Sequence, residues 1–133
     1  MSNKKLEADL WRTFSWYIRL RNSSGGTATC ITCGLRFPIK EMDAGHFIAR
    51  STTFLKFDVR NVHPQCKDCN QHRRGRQKEY RRAILSLYGP GVLQELEAAR
   101  YKTWKPSETW LSEAVQEYKH LIRMLERNVW PPQ

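Results

Sequence analysis

The sequence predicts an α+β fold in which helices enclose a small, irregular β centre. Three observations predict it. Apolar residues recur at helical spacing towards both ends of the chain. That period vanishes between Thr27 and about Val62. Two cysteine pairs stand at the borders of the aperiodic stretch.

Residues 4–22 read as a helix, because Leu6, Leu10, Phe14, Tyr17, Ile18 and Arg21 recur at three- and four-residue steps with polar residues between them. Ser23-Ser24-Gly25-Gly26 stops it. The next stretch holds β-branched Thr27, Thr29, Ile31 and Thr32, punctuated by Gly34, Pro38 and Gly45, and reads as short strands and loops. Residues 67–88 read as one continuous helix, ended by Tyr88-Gly89-Pro90, where glycine suits a left-handed cap. A short helix is expected from Val92 to Tyr101. A last one is expected from about Ser107 to Arg127, burying Trp110, Leu111, Ala114, Val115, Tyr118, Leu121, Ile122 and Leu125. Pro131 and Pro132 close the chain. Without repeats or low-complexity linkers, residues 1–133 read as a single domain.

Lys plus Arg number 23 against 13 Asp plus Glu, a net charge of +10 and a pI near 9.8. On a small folded chain this excess points to a polyanionic partner. Nucleic acid is favoured over an acidic membrane surface, since no long helix pairs a uniformly basic face with a bulky apolar one. No apolar run approaches the roughly 20 residues of a membrane span, and the N-terminus lacks the apolar stretch of a signal peptide. A cytoplasmic protein is the expectation.

The four cysteines occur as Cys30-Ile31-Thr32-Cys33 and Cys66-Lys67-Asp68-Cys69. Two such pairs are a zinc pattern: four thiolates complete a tetrahedron and leave no open position, so the Zn²⁺ would be structural. A reducing cytosol opposes disulfides, and the paired spacing opposes unrelated buried thiols. The 32 residues from Gly34 to Gln65 exceed the roughly 15–20 of a plain zinc ribbon. Something sizeable is inserted between the two knuckles.

That insert carries Glu41-Met42-Asp43-Ala44-Gly45-His46-Phe47-Ile48, then Asp58-Val59-Arg60-Asn61-Val62-His63-Pro64-Gln65-Cys66, and Cys69-Asn70-Gln71-His72 follows. The expectation is a histidine on one strand, an Asn on the returning strand and an Asn in the first turn of a helix. A neutral imidazole is the natural general base near pH 7. A carboxylate and an amide oxygen are hard ligands suited to Mg²⁺ or Mn²⁺.

Two cysteine pairs around a histidine strand, with Asn before the second pair, resemble the HNH or ββα-metal nucleases. Cys69-Asn70 is similar to the arrangement in the phage Holliday-junction enzyme endonuclease VII. The three segments Cys30-Ile31-Thr32-Cys33-Gly34, Met42-Asp43-Ala44-Gly45-His46-Phe47-Ile48 and Arg60-Asn61-Val62-His63-Pro64-Gln65-Cys66 resemble the NinG (Rap) family of phage recombination proteins. The resemblance spans roughly residues 6–125. It implies a zinc-stapled ββα-metal core and a structure-selective, divalent-metal-dependent DNA endonuclease acting on Holliday junctions and D-loops, in a bacterial host cell. By position, His46 matches the general base, Asn70 the metal-binding residue of the helix, and Asn61 the Asn that braces the loop and holds the base in place. HNH enzymes generally carry a metal ligand immediately before the base, where this sequence has Gly45. Asp43 lies two residues earlier on the same strand face and is the candidate replacement. Asp43 as a turn cap and Asn70 as a helix N-cap are the plainer alternatives. His63 is expected to brace beside Cys66, and His72 to face phosphate or solvent.

Lys67, Arg73, Arg74, Arg76, Lys78, Arg81 and Arg82 oppose only Asp68 and Glu79 in the helix expected after Cys66, which holds half of the net excess charge. A solvated face would also carry such a run. Here it continues from Asn70, so contact with the DNA backbone is expected, rather than base reading. Trp104 and Trp110 are candidates for stacking on unpaired bases, with buried packing favoured for Trp110. A rival function is a catalytically silent zinc module that binds branched or single-stranded DNA as a recombination accessory. An RNA-directed nuclease also stays open. A homodimer fits a substrate cut on two strands, and phage or host recombination proteins are plausible partners.

Overall fold

The computed structural model describes residues 3–129, so Pro131 and Pro132 lie outside the described residues. Helix α1 (Asn3–Leu20) turns Leu10, Phe14, Ile18 and Leu20 inward. Strands β1 (Thr27–Thr29) and β2 (Arg36–Pro38) form a short antiparallel hairpin around the first cysteine pair. A second antiparallel pair follows, β3 (Met42–His46) with β4 (Val62–Cys66), in which Met42 faces Cys66 and Gly45 faces His63. Helices α2 (Gln77–Tyr88), α3 (Pro90–Ala98) and α4 (Glu108–Val129) complete the chain. The mixed α+β class is as expected, and the sheets are small.

The β3–β4 hairpin sits at the centre because both of its faces are covered. Ala44 and Val62 pack with α1 and with Leu111, Ala114 and Val115 of α4. On the other face Tyr80 of α2 reaches across to donate to the Gly45 carbonyl at 2.6 Å. All five residues of β4 are buried, which explains its run Val-His-Pro-Gln-Cys without the polar alternation of a half-exposed strand. A two-stranded pair leaves one edge of each strand open, and this admits Pro64. A second apolar cluster joins Phe47, Ile48 and Leu55 to α2 and α3. A third gathers Leu20, Ile39 and Met42 around three of the cysteines.

Two expectations fail. The continuous helix over 67–88 is broken. A single wide turn covers Asp68–His72, and Arg74, Gly75 and Arg76 then adopt φ of 53°, 84° and 48° before α2 begins at Gln77. The physical cause is tertiary. The Gln65 amide donates to the Gly75 carbonyl at 2.9 Å, and Gly75 N–H returns to the Cys69 carbonyl at 2.8 Å. These bonds fold the chain back on the second cysteine pair, overriding the helix formers. Trp110 was expected to be buried and is instead 37% exposed, at the rim of α4 beside Trp104. The rest of its stripe faces inward, with Leu111, Ala114 and Val115 buried.

Candidate metal centre and nucleic-acid cleft

The sulfurs of Cys30, Cys33, Cys66 and Cys69 lie within 4.8 Å of one another. A tetrahedral Zn²⁺ with bonds of about 2.3 Å requires sulfur separations near ~3.8 Å, and Cys33 Sγ to Cys66 Sγ is 4.0 Å. The four thiols are free, and this donor set fits a zinc ion. The amides of Cys66 and Cys69 point at Cys30 Sγ and Cys66 Sγ, both at 3.4 Å. Burial alone would raise the Cys30 thiol. Hydrogen bonds from Thr32 and the backbone amides of Cys66, Cys33 and Thr32 outweigh it and bring Cys30 down to about 6, favouring the thiolate a metal needs.

The second cysteine pair sets the next feature. Register places Asp43 one step from Met42, the partner of Cys66, and Asn70 follows Cys69 directly. Asn70 Nδ2 donates to Asp43 Oδ2 at 2.9 Å, Gln71 Nε2 to the same oxygen at 2.8 Å, and Lys67 Nζ to Oδ1 at 2.8 Å. Burial opposes the Asp43 charge, but these three donors prevail and hold its pKa below the ordinary carboxylate value. Asp43 is therefore an ionised carboxylate ringed by donors, held against Asn70.

Gly45 has a structural reason. A Cβ at this position would lie 1.9 Å from Gln65 Oε1. Gln65 is fully buried and ties Thr32 of the first knuckle to Gly75, at 3.1 and 2.9 Å. The space a ligand at 45 would need belongs to Gln65.

His46 stands on the opposite strand face, stacked on Trp11 with ring centroids 5.0 Å apart. Its Nε2 donates to the Lys56 carbonyl at 3.0 Å, which leaves Nδ1 as the acceptor. Burial, with Arg50 and Lys56 nearby, brings the imidazole down to about 4 despite that hydrogen bond, so it is neutral at pH 7. Asn61 is fully buried. Its Oδ1 accepts from Ile48 N at 2.8 Å, and its Nδ2 donates to the Ile48 and Leu55 carbonyls. It thus closes the loop that runs from His46 to Lys56. His63 is buried between the hydroxyls of Tyr80 and Tyr88, at 3.2 and 2.7 Å, and His72 is exposed.

Asp43, Asn70 and His46 open on one cleft of about 760 Å³. Six cations line it: Arg19, Lys40, Arg50, Lys67, Arg74 and Arg100. Two of these, Lys67 and Arg74, belong to the basic run read from the sequence. Others of that run are held elsewhere: Arg73 on Asp68 at 2.8 Å, Arg76 on Glu79 at 3.5 Å and Arg81 on Glu97 at 2.9 Å. Arg19, Arg50 and Arg100 were missed because they lie far apart in sequence and outside the basic run. The Arg50 guanidinium lies over the Trp11 ring at 4.8 Å, beside the ring that stacks on His46.

Comparison with known proteins gives this arrangement a family. The family model described as "Bacteriophage Lambda NinG protein" matches residues 1–128. The chain belongs to the NinG family. It is similar to protein ninG of Escherichia phage lambda, of Escherichia phage 933W and of Salmonella phage P22, each 37% identical over 70 residues. The matched stretch covers 52% of this chain and 34% of each relative, so the chain spans about a third of the length of these NinG proteins. No solved structure matches. The NinG family match covers the cysteine cluster and the whole cleft. No helix among the described residues is long and apolar enough to cross a membrane.

Proposed function

We propose that this chain is a divalent-metal-dependent DNA endonuclease acting on branched recombination intermediates such as Holliday junctions and D-loops, with β3, β4 and the turn after Cys69 as its ββα-metal, HNH-type centre. The observation that carries the reading is the contact of Asp43 with Asn70 in the same cation-lined cleft as a neutral histidine. The preference for branched DNA rests on the family likeness alone.

In this reading the Asp43 carboxylate and the Asn70 amide oxygen would hold Mg²⁺ or Mn²⁺. This would require the Asn70 amide to present its oxygen to the ion and Lys67, whose side chain is 55% exposed, to release Asp43. Such an ion, when bound, offsets charge on the scissile phosphate and the leaving oxygen. His46 Nδ1 accepts the proton of the attacking water, with the tautomer fixed by the Lys56 carbonyl. Asn61 is a positioning residue that keeps that carbonyl in place through its bonds to Ile48 and Leu55. Arg50, Arg74 and Arg100 meet phosphates. A homodimer would supply the second cut that a junction needs.

A four-way junction and a matching linear duplex, incubated with and without Mg²⁺, test the activity. Replacing His46 with Ala should reduce cleavage at least about 10²-fold while junction affinity is kept. Replacing Lys67 with Ala should lower the Mg²⁺ concentration needed. One observation favours the rival, a silent zinc-containing DNA-binding module: both Asp43 oxygens already have protein donors, and Gly45 cannot carry a ligand. Tight junction binding with no metal-dependent cutting, or cutting by the His46 variant at the parental rate, would decide for it.

A further inference from the structure

The loop that receives His46 has a second side. Lys56 gives its carbonyl to His46, while its side chain lines a separate hollow of about 400 Å³ together with Phe57, Trp104 and Lys105. A neighbouring hollow of about 270 Å³ shares Phe57 and Trp104 and adds Phe54 and Trp110. Trp104 stands edge-on to Trp110 with centroids 4.5 Å apart, and Phe57 lies 6.3 Å from Trp110. Phe57 also packs inward on Phe14, so the core anchors this wall. Phe54 is 44% exposed, and Thr53 Oγ1 accepts from Trp104 N at 2.9 Å, tying the segment before α4 to the loop.

The charge around these rings suits a polyanion. The Lys102 ammonium lies over Phe54 at 5.3 Å, and Lys105 is exposed. Of the two carboxylates that line the hollows, Glu7 is paired with Lys56 at 2.7 Å, and Asp58 shares Arg60 with Glu95, at 3.2 and 2.7 Å. Exposed aromatic rings beside cations hold single-stranded nucleic acid by stacking on its bases. A protein partner would use the same apolar rings, but the Lys102 ammonium over Phe54 and the exposed Lys105 favour a nucleotide.

We propose that the hollow formed by Phe54, Phe57, Trp104 and Trp110 stacks an unpaired nucleobase of the bound DNA. This rests on the nucleic-acid reading above and adds to it a reader of unpaired DNA: a flush duplex has no base to offer, whereas a branch point or single-stranded arm has.

The test uses the full zinc-loaded chain without Mg²⁺, so that binding is read without cleavage. Affinities are measured for a splayed duplex with an unpaired arm and for a flush duplex of equal length, in the parent, Trp104→Leu and Phe54→Leu. The splayed DNA should quench the parent's tryptophan fluorescence more than the flush duplex does. Each variant should lose roughly 5- to 100-fold on the splayed DNA, the equivalent of one stacked base, and little on the flush duplex. Phe54 is exposed, so its variant reports even if Trp104→Leu fails to fold. Equal losses on both DNAs, or none on either, overturn the proposal. So does a concentration-dependent dimer in light scattering that Trp104→Leu abolishes, since a second copy would then fill the hollow. Discrimination that persists where no cutting is ever seen supports the stacking site and sinks only the nuclease reading. Parental junction cutting by variants that keep the parent's full discrimination sinks only the stacking site.

Discussion

Placing a methyl group on Gly45 tests how the centre is built. An alanine Cβ would sit 1.9 Å from Gln65 Oε1, 2.9 Å from its Cδ and 3.0 Å from its Cβ. The first contact is relieved only by moving the amide, which is bonded to Thr32 and Gly75, and the third involves the least mobile part of the side chain. Overpacking of this kind costs about 1–3 kcal/mol, or roughly 3–10 °C of melting temperature for a domain of this size. Gln65→Ala alone should also destabilise, because it removes the bonds to Thr32 and Gly75. The informative measurement is the double-mutant cycle by thermal or urea unfolding. Gly45→Ala and Gln65→Ala together should be less damaging than their sum, by about 1 kcal/mol or more, since the second change removes the two nearest atoms the first collides with, Oε1 and Cδ. If the two effects add, or if Gly45→Ala melts with the parent, the account of why no ligand stands before His46 is wrong.

Zinc should be present at one ion per chain in native mass measurement. Cys30→Ser with Cys66→Ser should lose it together with several kcal/mol of stability, and an unchanged melting temperature would refute the structural metal. His46 and His63 are held neutral in the fold, at about 4 and about 3, below the ordinary value of about 6.5. The unfolded chain therefore takes up protons first as pH falls, and stability should drop between about pH 6.5 and pH 4, by about 3 kcal/mol for each histidine. Thiolate protonation acts in the same direction, so the check is ring titration by NMR, and a ring titrating near 6.5 contradicts the burial argument. For duplex DNA, Arg50→Ala and Arg74→Ala should each lower the log–log salt slope by about 0.9. Arg81→Ala, whose guanidinium is occupied by Glu97, should leave the slope unchanged, and the reverse result would move the DNA off the cleft.

What the sequence made legible follows from what is local. The stripes of α1 and α4 have helical period and lie within two residues of the expected ends. Spacing alone brought the four cysteines together. The pairing of Asp43 with Asn70 was within reach because both adjoin a cysteine knuckle. The left-handed run at Arg74–Arg76 was not. Gly75 hints at a break, but two arginines in that conformation are held there by a glutamine ten residues earlier. Neither were Arg19, Arg50 and Arg100, which share a cleft only once α1, the loop after β3 and the end of α3 are placed.

The basic run also divides in a way that composition hides. A zinc ion held by the four thiolates would leave a net charge of about −2, and Arg76 is paired with Glu79. Arg73 and Arg81 answer Asp68 and Glu97. Much of what reads in sequence as a DNA-binding stripe therefore balances charge within the fold. The cations that line the cleft are drawn from several elements around the contact of Asp43 with Asn70. That contact depends on the knuckle. Cys66 and Cys69 bracket the turn that presents Lys67 and Asn70, and the partner of Cys66 on β3 is the residue before Asp43. Loosening the sulfurs would thus shift Asn70 relative to Asp43 while α1 and α4, packed on each other through Phe14 and Tyr118, still hold. The cysteine cluster and the candidate site form one mechanical unit, and the cleft should fail before the helices do.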